Sequence, residues 1–261
     1  MIDVTPINAL TDNYIWCLVN RANRHCVIVD PGEAAPVLAM LRANQFTLSA
    51  IIITHHHWDH TSGISDILAQ FDVPVYGPAG EPVTGMTHHL NGGDTLTLED
   101  MDLSFQVMDI PGHTLGHIAY YTPGIVFTGD TLFTAGCGKI FEGTVDQMFT
   151  SLMSLKALDD NTLIYCGHEY TASNLKFAQL VEPDNIDIQQ RIQDVSRLRM
   201  GNMPSVPATL AIEKRTNPFL RCDHNAVIRA AERYSGHKLM SPAAVLGVIR
   251  EWKNLESIKI S

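Results

Sequence analysis

Six consecutive residues, from His55 to His60 in "THHHWDH", hold four imidazoles and the Asp59 carboxylate. Neutral imidazole and carboxylate are the usual ligands of zinc, iron and manganese. They stand directly behind the apolar run "LSAIIIT". A loop at the carboxyl end of a buried strand is where open α/β sheets place their sites. In an extended chain His55 and His57 point the same way and His56 points away. Asp59 and His60 fall where the chain turns toward a helix that resumes near Gly63. Adjacent residues on such a turn point apart, so this pair serves either a second metal or the far side of one site.

Three more polar residues sit in the same kind of place. His113 follows "MDIPG", Asp130 closes "IVFTGD" and His168 closes "LIYCGH". Five histidines and two aspartates exceed the three or four protein ligands that one metal takes, which points to two metals sharing an aspartate. Two divalent ions sharing a water lower its pKa toward about 7, giving a hydroxide nucleophile at neutral pH. The motifs hold no Ser–His or Cys–His dyad, and Cys137 and Cys166 are not expected to be nucleophiles.

The elements that would position these residues are legible from periodicity. "YIWCLVN" and "HCVIVD" read as a hairpin, Ala35–Ala43 as a helix and "LSAIIIT" as a strand covered on both faces. "ISDILAQF" reads as a short helix, "VPVYGP" as a strand. "DTLTL", "LSFQVMDI", "HIAYYT", "GIVFTGD" and "TLIYCG" are further strands. Thr144 with Gln147 forms a capping box for the helix that follows. After Tyr170 the texture turns helical in "TASNLKFAQLVE", "NIDIQQRIQDVSRLRM", "HNAVIRAAERYSG" and "PAAVLGVIREWKNL". Only residues 202–222, with Pro204, Pro207 and Pro218, read as irregular. A mixed α/β domain over 1–170 and a helical domain over 171–261 follow.

Composition narrows the class. The chain has 261 residues, 45% of them hydrophobic, enough for one large domain or two modest ones. Five cysteines without a CxxC pair argue against a disulfide framework and for a reducing compartment. The N-terminus lacks the basic and apolar regions of a secretory signal, and no apolar run is long enough to span a membrane. A cytoplasmic monomer is expected. The net charge of −10 argues against a nucleic-acid partner. The charge is uneven: residues 1–170 carry 5 Lys and Arg against 19 Asp and Glu, residues 171–261 carry 13 against 9. A basic second part suits an anionic substrate.

Taken in order, "THHHWDH", "PGHTLGH", "FTGDTLF", "GCGKIFEGT" and "CGHEYT" resemble the metallo-β-lactamase superfamily, and within it the glyoxalase II family, the hydroxyacylglutathione hydrolases. The resemblance spans essentially the whole chain. It implies a four-layer αβ/βα sandwich with a C-terminal all-helical domain and two divalent metals, zinc with iron or manganese as alternatives. By position, His55, His57 and His113 would hold one metal and Asp59, His60 and His168 the other. Asp130 would bridge them, with Asp59 and Asp130 the catalytic carboxylates. His56 is not a ligand in the family, and His117 reads as a hydrogen-bonded support. The implied substrate is S-D-lactoylglutathione, hydrolysed to glutathione and D-lactate. Lys139, Phe141, Tyr170, Arg250 and Lys253 would contact it. Many relatives have tyrosine where this chain has Phe141, so one hydroxyl contact is missing. Arg250 and Lys253, three apart on the last helix, share a face and are expected to be partly solvent-exposed. Two related readings compete: a lactonase-like or β-lactamase-like hydrolase, and a persulfide dioxygenase with one iron. A metal-binding module without activity is the non-catalytic alternative.

Overall fold

The computed structural model describes residues 2–260, with side chains through residue 256. Contacts divide the chain into two compact units. The first runs to Asp109 and takes in Thr114–Gly129; the second comprises Ile110–His113 and the chain from Asp130 onward.

The first unit holds a six-stranded sheet in sequential order: β1 (Ile2–Ala9), β2 (Asn13–Asn20), β3 (His25–Val29), β4 (Thr47–Ile52), β5 (Val75–Pro78) and β6 (His88–Leu90). β1, β2 and β3 are antiparallel neighbours. From β3 onward the pairings are parallel, with Val29 beside Ile52 and Ile52 beside Tyr76. Parallel strands require crossovers, supplied by α1 (Ala34–Asn44) between β3 and β4 and by α2 (Trp58–Thr61) and α3 (Ile64–Leu68) between β4 and β5. Ile28, Ile51 and Ile53 pack with Val37, Leu41 and Ile67 in one buried cluster. Each such side chain contributes about 1.5–3 kcal/mol on burial. Every residue of β2 is buried, so this sheet is covered on both faces. The unit also holds an antiparallel meander, β7 (Thr95–Leu98), β8 (Leu103–Asp109), β9 (Ile118–Thr122) and β10 (Ile125–Gly129). The Tyr120 hydroxyl on β9 donates to the Ile53 carbonyl at 2.9 Å, beside the histidine loop.

The second unit holds a small hairpin, β11 (Leu132–Phe133) with β12 (Gly136–Cys137), and the antiparallel pair β13 (Leu163–Cys166) and β14 (Ala208–Thr209). Its helices are α4 (Val145–Lys156), α5 (Thr171–Val181), α6 (Ile186–Met200), α7 (Leu210–Thr216), α8 (Asn225–Ser235) and α9 (Pro242–Ile260). The Thr144 capping box is formed in both directions. Leu175, Ala178, Ile188 and Val195 pack α5 against α6.

One expectation needs correcting. The 202–222 stretch is not irregular throughout. It contains β14, α7 and a short 3-10 turn at Pro218–Leu220. Thr209 caps α7 by accepting from the Ile212 N–H at 3.4 Å, so the helix starts just past the prolines. The N-terminal stretch, read only for a targeting signal, is the eight-residue strand β1.

Candidate metal centre

In the first unit the parallel sheet brings two strand ends together. β3 lies beside β4, so Asp30, the residue after Val29, meets Thr54, two residues beyond β4. Asp30 Oδ1 accepts from the Thr54 N–H at 2.7 Å. Its Oδ2 accepts from Thr54 Oγ1 at 2.7 Å and from His60 Nδ1 at 3.1 Å. The Thr54 hydroxyl spends its one proton on Asp30 and must therefore accept from His55 Nδ1, 3.0 Å away. Both contacts fix tautomers. His55 and His60 are left with a lone pair on Nε2.

Each lone pair faces another potential ligand atom. His55 Nε2 lies 3.1 Å from His57 Nδ1. Two nitrogens bound to one zinc at tetrahedral angles stand about 3.3 Å apart. His60 Nε2 lies 3.6 Å from Asp59 Oδ2. That distance corrects the expectation that these neighbours point apart. The helical turn of α2 begins at Trp58, earlier than read from sequence, and its tight backbone turns both side chains toward one another. Asn13 Nδ2 donates to the Asp59 carboxylate at 3.1 Å and holds it there. Asp30, His55 and His60 place ligand atoms within 4.8 Å of one another. His117 is the support expected of it: buried, its Nδ1 donating to the Ile118 carbonyl at 3.1 Å, its ring stacked on His55 at 4.5 Å.

In the second unit Asp130 is the centre. Its Oδ2 lies 3.5 Å from His113 Nε2 and 3.3 Å from His168 Nε2. His113 Nδ1 donates to the Lys139 carbonyl at 2.8 Å, which puts the lone pair on Nε2, facing the carboxylate. A lone pair facing an anionic oxygen is repulsive until a cation stands between them. The donor set therefore fits divalent metal binding. Gly138 allows this crowding. A Cβ there would meet the Asp130 carbonyl oxygen at 1.9 Å and His113 Nδ1 at 3.1 Å.

The segment carrying His113 is tied down inside the second unit. Ser151 Oγ donates to the Pro111 carbonyl at 2.7 Å and Thr131 Oγ1 to the Ile110 carbonyl at 3.1 Å. The β11–β12 turn is gripped by helix side chains. Asn217 Nδ2 reaches the carbonyls of Phe133 and Gly136, and Asn174 Nδ2 that of Thr134. Buried Glu213 accepts from the Ala135 N–H at 2.7 Å and pairs with Arg191. Ala135 has φ +56°, a left-handed conformation that a non-glycine residue keeps only when its neighbours hold it.

The predicted substrate contacts all lie in the second unit. Lys139 and Phe141 are exposed; the Phe141 ring meets His113 edge-on at 5.2 Å. Tyr170 stacks on His168 at 4.6 Å and meets Phe133 edge-on. Arg250 and Lys253 are not partly exposed as expected. They are 4% and 9% exposed, because their face of α9 packs inward over Phe177 and Phe219. Arg250 Nη1 donates to the Cys137 carbonyl at 2.7 Å, and Lys253 donates to Asn174 Oδ1. Burial, with Arg250 one turn away, holds the Lys253 pKa down to about 7. Burial pushes the Cys137 thiol up and the Cys166 thiol up to about 12, so both stay protonated and poor nucleophiles.

Sequence reading missed Asp30, Asn13 and Glu81. Asp30 had a signal: "VIVD" is an apolar strand closed by an aspartate, the pattern that marks Asp130. Asn13 and Glu81 had none, because their partners lie 46 and at least 25 residues away.

A fold with paired His and Asp sets at its strand ends defines the class. A family profile described as the metallo-beta-lactamase superfamily matches residues 10–168. A second, described as hydroxyacylglutathione hydrolase C-terminus, matches residues 169–255. A hydroxyacylglutathione hydrolase from Nitrosomonas eutropha is 50% identical over 254 residues, covering 97% of this chain and 99% of the relative. One from Pseudomonas fluorescens is 47% identical over 97% of this chain and 99% of its own. The chain belongs to the hydroxyacylglutathione hydrolase family, glyoxalase II, with the metallo-β-lactamase fold and a helical C-terminal region. The crystal structure of ETHE1 from Myxococcus xanthus shares the fold with a TM-score of 0.64 at 23% identity, over 97% of this chain and 98% of that one. Among the described residues no helix is long and apolar enough to cross a membrane.

Proposed function

We propose that the chain hydrolyses the thioester of S-(2-hydroxyacyl)glutathione, typically S-D-lactoylglutathione, to glutathione and D-lactate. His55, His57 and His113 would hold one divalent metal and Asp59, His60 and His168 a second, with Asp130 as the ligand common to both. Zinc suits these donors, as do iron and manganese. When bound, the two ions supply a water acidified toward about pKa 7 and a Lewis acid for the thioester carbonyl. The protein residues do the rest. Asp30, Thr54 and the Lys139 carbonyl orient the ligand imidazoles through their second nitrogens. The leaving thiolate has a pKa of about 8.5 and needs no strong acid to protonate it.

Lys139, Tyr170, Arg250 and Lys253 bind the glutathione moiety, with Phe141 beside His113 giving an apolar contact. Glutathione carries two carboxylates, and the second part of the chain supplies the cations. Arg250 keeps a buried Nε–H without a partner among the described residues. In this reading residues 1–170 form the catalytic domain and 171–261 the substrate-binding domain, and the enzyme is a cytoplasmic monomer.

The observation that carries the reading is Asp130. One carboxylate oxygen faces the lone-pair nitrogen of His113 and the Nε2 of His168, an arrangement suited to a bridging ligand. The test is elemental analysis of metal-saturated protein, with S-D-lactoylglutathione cleavage followed by loss of thioester absorbance. Two metal equivalents and turnover are expected. A ceiling of one metal, or no thioester cleavage by the loaded protein, overturns the reading.

A further inference from the structure

The middle histidine of "THHHWDH", His56, has its ring edge-on to that of His57 at 5.1 Å and its Nδ1 on Glu81. That side chain is 2% exposed. Its Oε2 accepts from the His56 N–H at 2.5 Å and from His56 Nδ1 at 3.0 Å. Its Oε1 accepts from Thr114 Oγ1 and from the Gly116 N–H at 3.0 Å. Four donors thus meet one carboxylate, a group that only accepts when ionised. The fold delivers Glu81 to this spot. β5 runs parallel beside β4, so the turn after Pro78 emerges next to the loop after Ile52. The turn closes with the Glu81 N–H on the Pro78 carbonyl. Gly116 leaves the space: a Cβ there would stand 2.5 Å from Glu81 Cγ.

We propose that Glu81 is a positioning residue for metal binding. It anchors the peptide N–H and ring of His56, and so sets the backbone on which His55 and His57 stand. Through Thr114 and Gly116 it also sets the turn immediately after His113. Metal–ligand bonds tolerate about ±0.2 Å, so His55 and His57 need their backbone held. One buried carboxylate does this. His56 is then in the motif as the handle by which the loop is held. The inference rests on the reading that His55, His57 and His113 are ligands.

The test is a zinc titration against a competing chelator, using the full chain as wild type, Glu81→Gln, Glu81→Asp and His56→Ala. Gln turns half of the carboxylate's acceptors into a donor facing donors. Zinc affinity is expected to fall about 10–100-fold, the usual effect of losing an outer partner of a ligand. Glu81→Asp keeps the charge and should recover part of the loss. His56→Ala keeps the backbone bond and should still take two zinc ions, about tenfold more weakly, the lower end of the effect of one outer contact. Unfolding of the metal-free proteins serves as the control, since a purely structural role would lower their melting temperatures and leave the zinc affinity of the folded variants unchanged. Glu81→Gln that is folded and titrates like wild type overturns the proposal. If Glu81→Gln does not fold, His56→Ala decides: wild-type zinc affinity overturns it. Wild type that never takes up two zinc ions sinks the underlying metal assignment instead, a separate result.

Discussion

Lys253 offers a stability measurement with a definite sign. It is 9% exposed on α9, with Phe177 and Phe219 within 6 Å and Arg250 one turn back. Burial first, then Arg250, bring its pKa from 10.5 down to about 7, with Cys137 opposing weakly. The unfolded chain holds this proton up to pH 10.5; the folded chain releases it near 7. Between those values the unfolded state binds more protons, so stability rises with pH, by up to about 1.4 kcal/mol per unit. Below pH 7 both states are protonated and the slope vanishes. Because the release is half complete at pH 7, the gain from pH 7 to 9 is about 2 kcal/mol. Lys253→Met keeps similar length and removes the titration. Reversible urea unfolding of both proteins, at equal zinc concentration and half-unit steps of pH, isolates the effect as wild type minus variant. Thiols, histidines and metal ligands cancel in that difference. It should grow by about 2 kcal/mol over the range. A flat difference, or one that shrinks as pH rises, would refute the claim that α9 buries a destabilised ammonium.

Two further outcomes follow from the same unit. Glu213→Gln breaks the buried pair with Arg191 and weakens the hold on the Ala135 N–H, so the urea midpoint should drop by the equivalent of about 3–5 kcal/mol. A loss below about 1 kcal/mol would mean that this carboxylate does not hold the β11–β12 turn. Phe141→Tyr adds a hydroxyl to the ring beside His113. KM for S-D-lactoylglutathione should fall about two- to tenfold with kcat little changed, the worth of one added hydrogen bond. An unchanged KM would remove residue 141 from the glutathione contacts.

Short-range pattern made a large part of this protein readable. The alternation in "THHHWDH" predicts His55 and His57 on one side, because side chains in extended backbone alternate, and their ring nitrogens stand 3.1 Å apart. The helices from Thr171 onward follow apolar spacing, and the Thr144 box marks the start of α4; both depend on residues within a turn or two. Strand ends closed by His or Asp exposed the candidate ligands for the same local reason. Periodicity says which residues share a face and is silent on what covers it. Arg250 and Lys253 were correctly placed on one face of α9, yet only the packing of that face over Phe177 and Phe219 buried them and lowered a lysine's pKa. Asp30 reaches His60, and Glu81 reaches His56, across parallel strands whose neighbours are set by crossovers and by the cores those crossovers bury. The candidate ligand types were therefore written in the sequence, and the tautomers, anchors and buried charges around them were decided by tertiary structure, because hydrogen bonds between distant strand ends leave no local periodic trace.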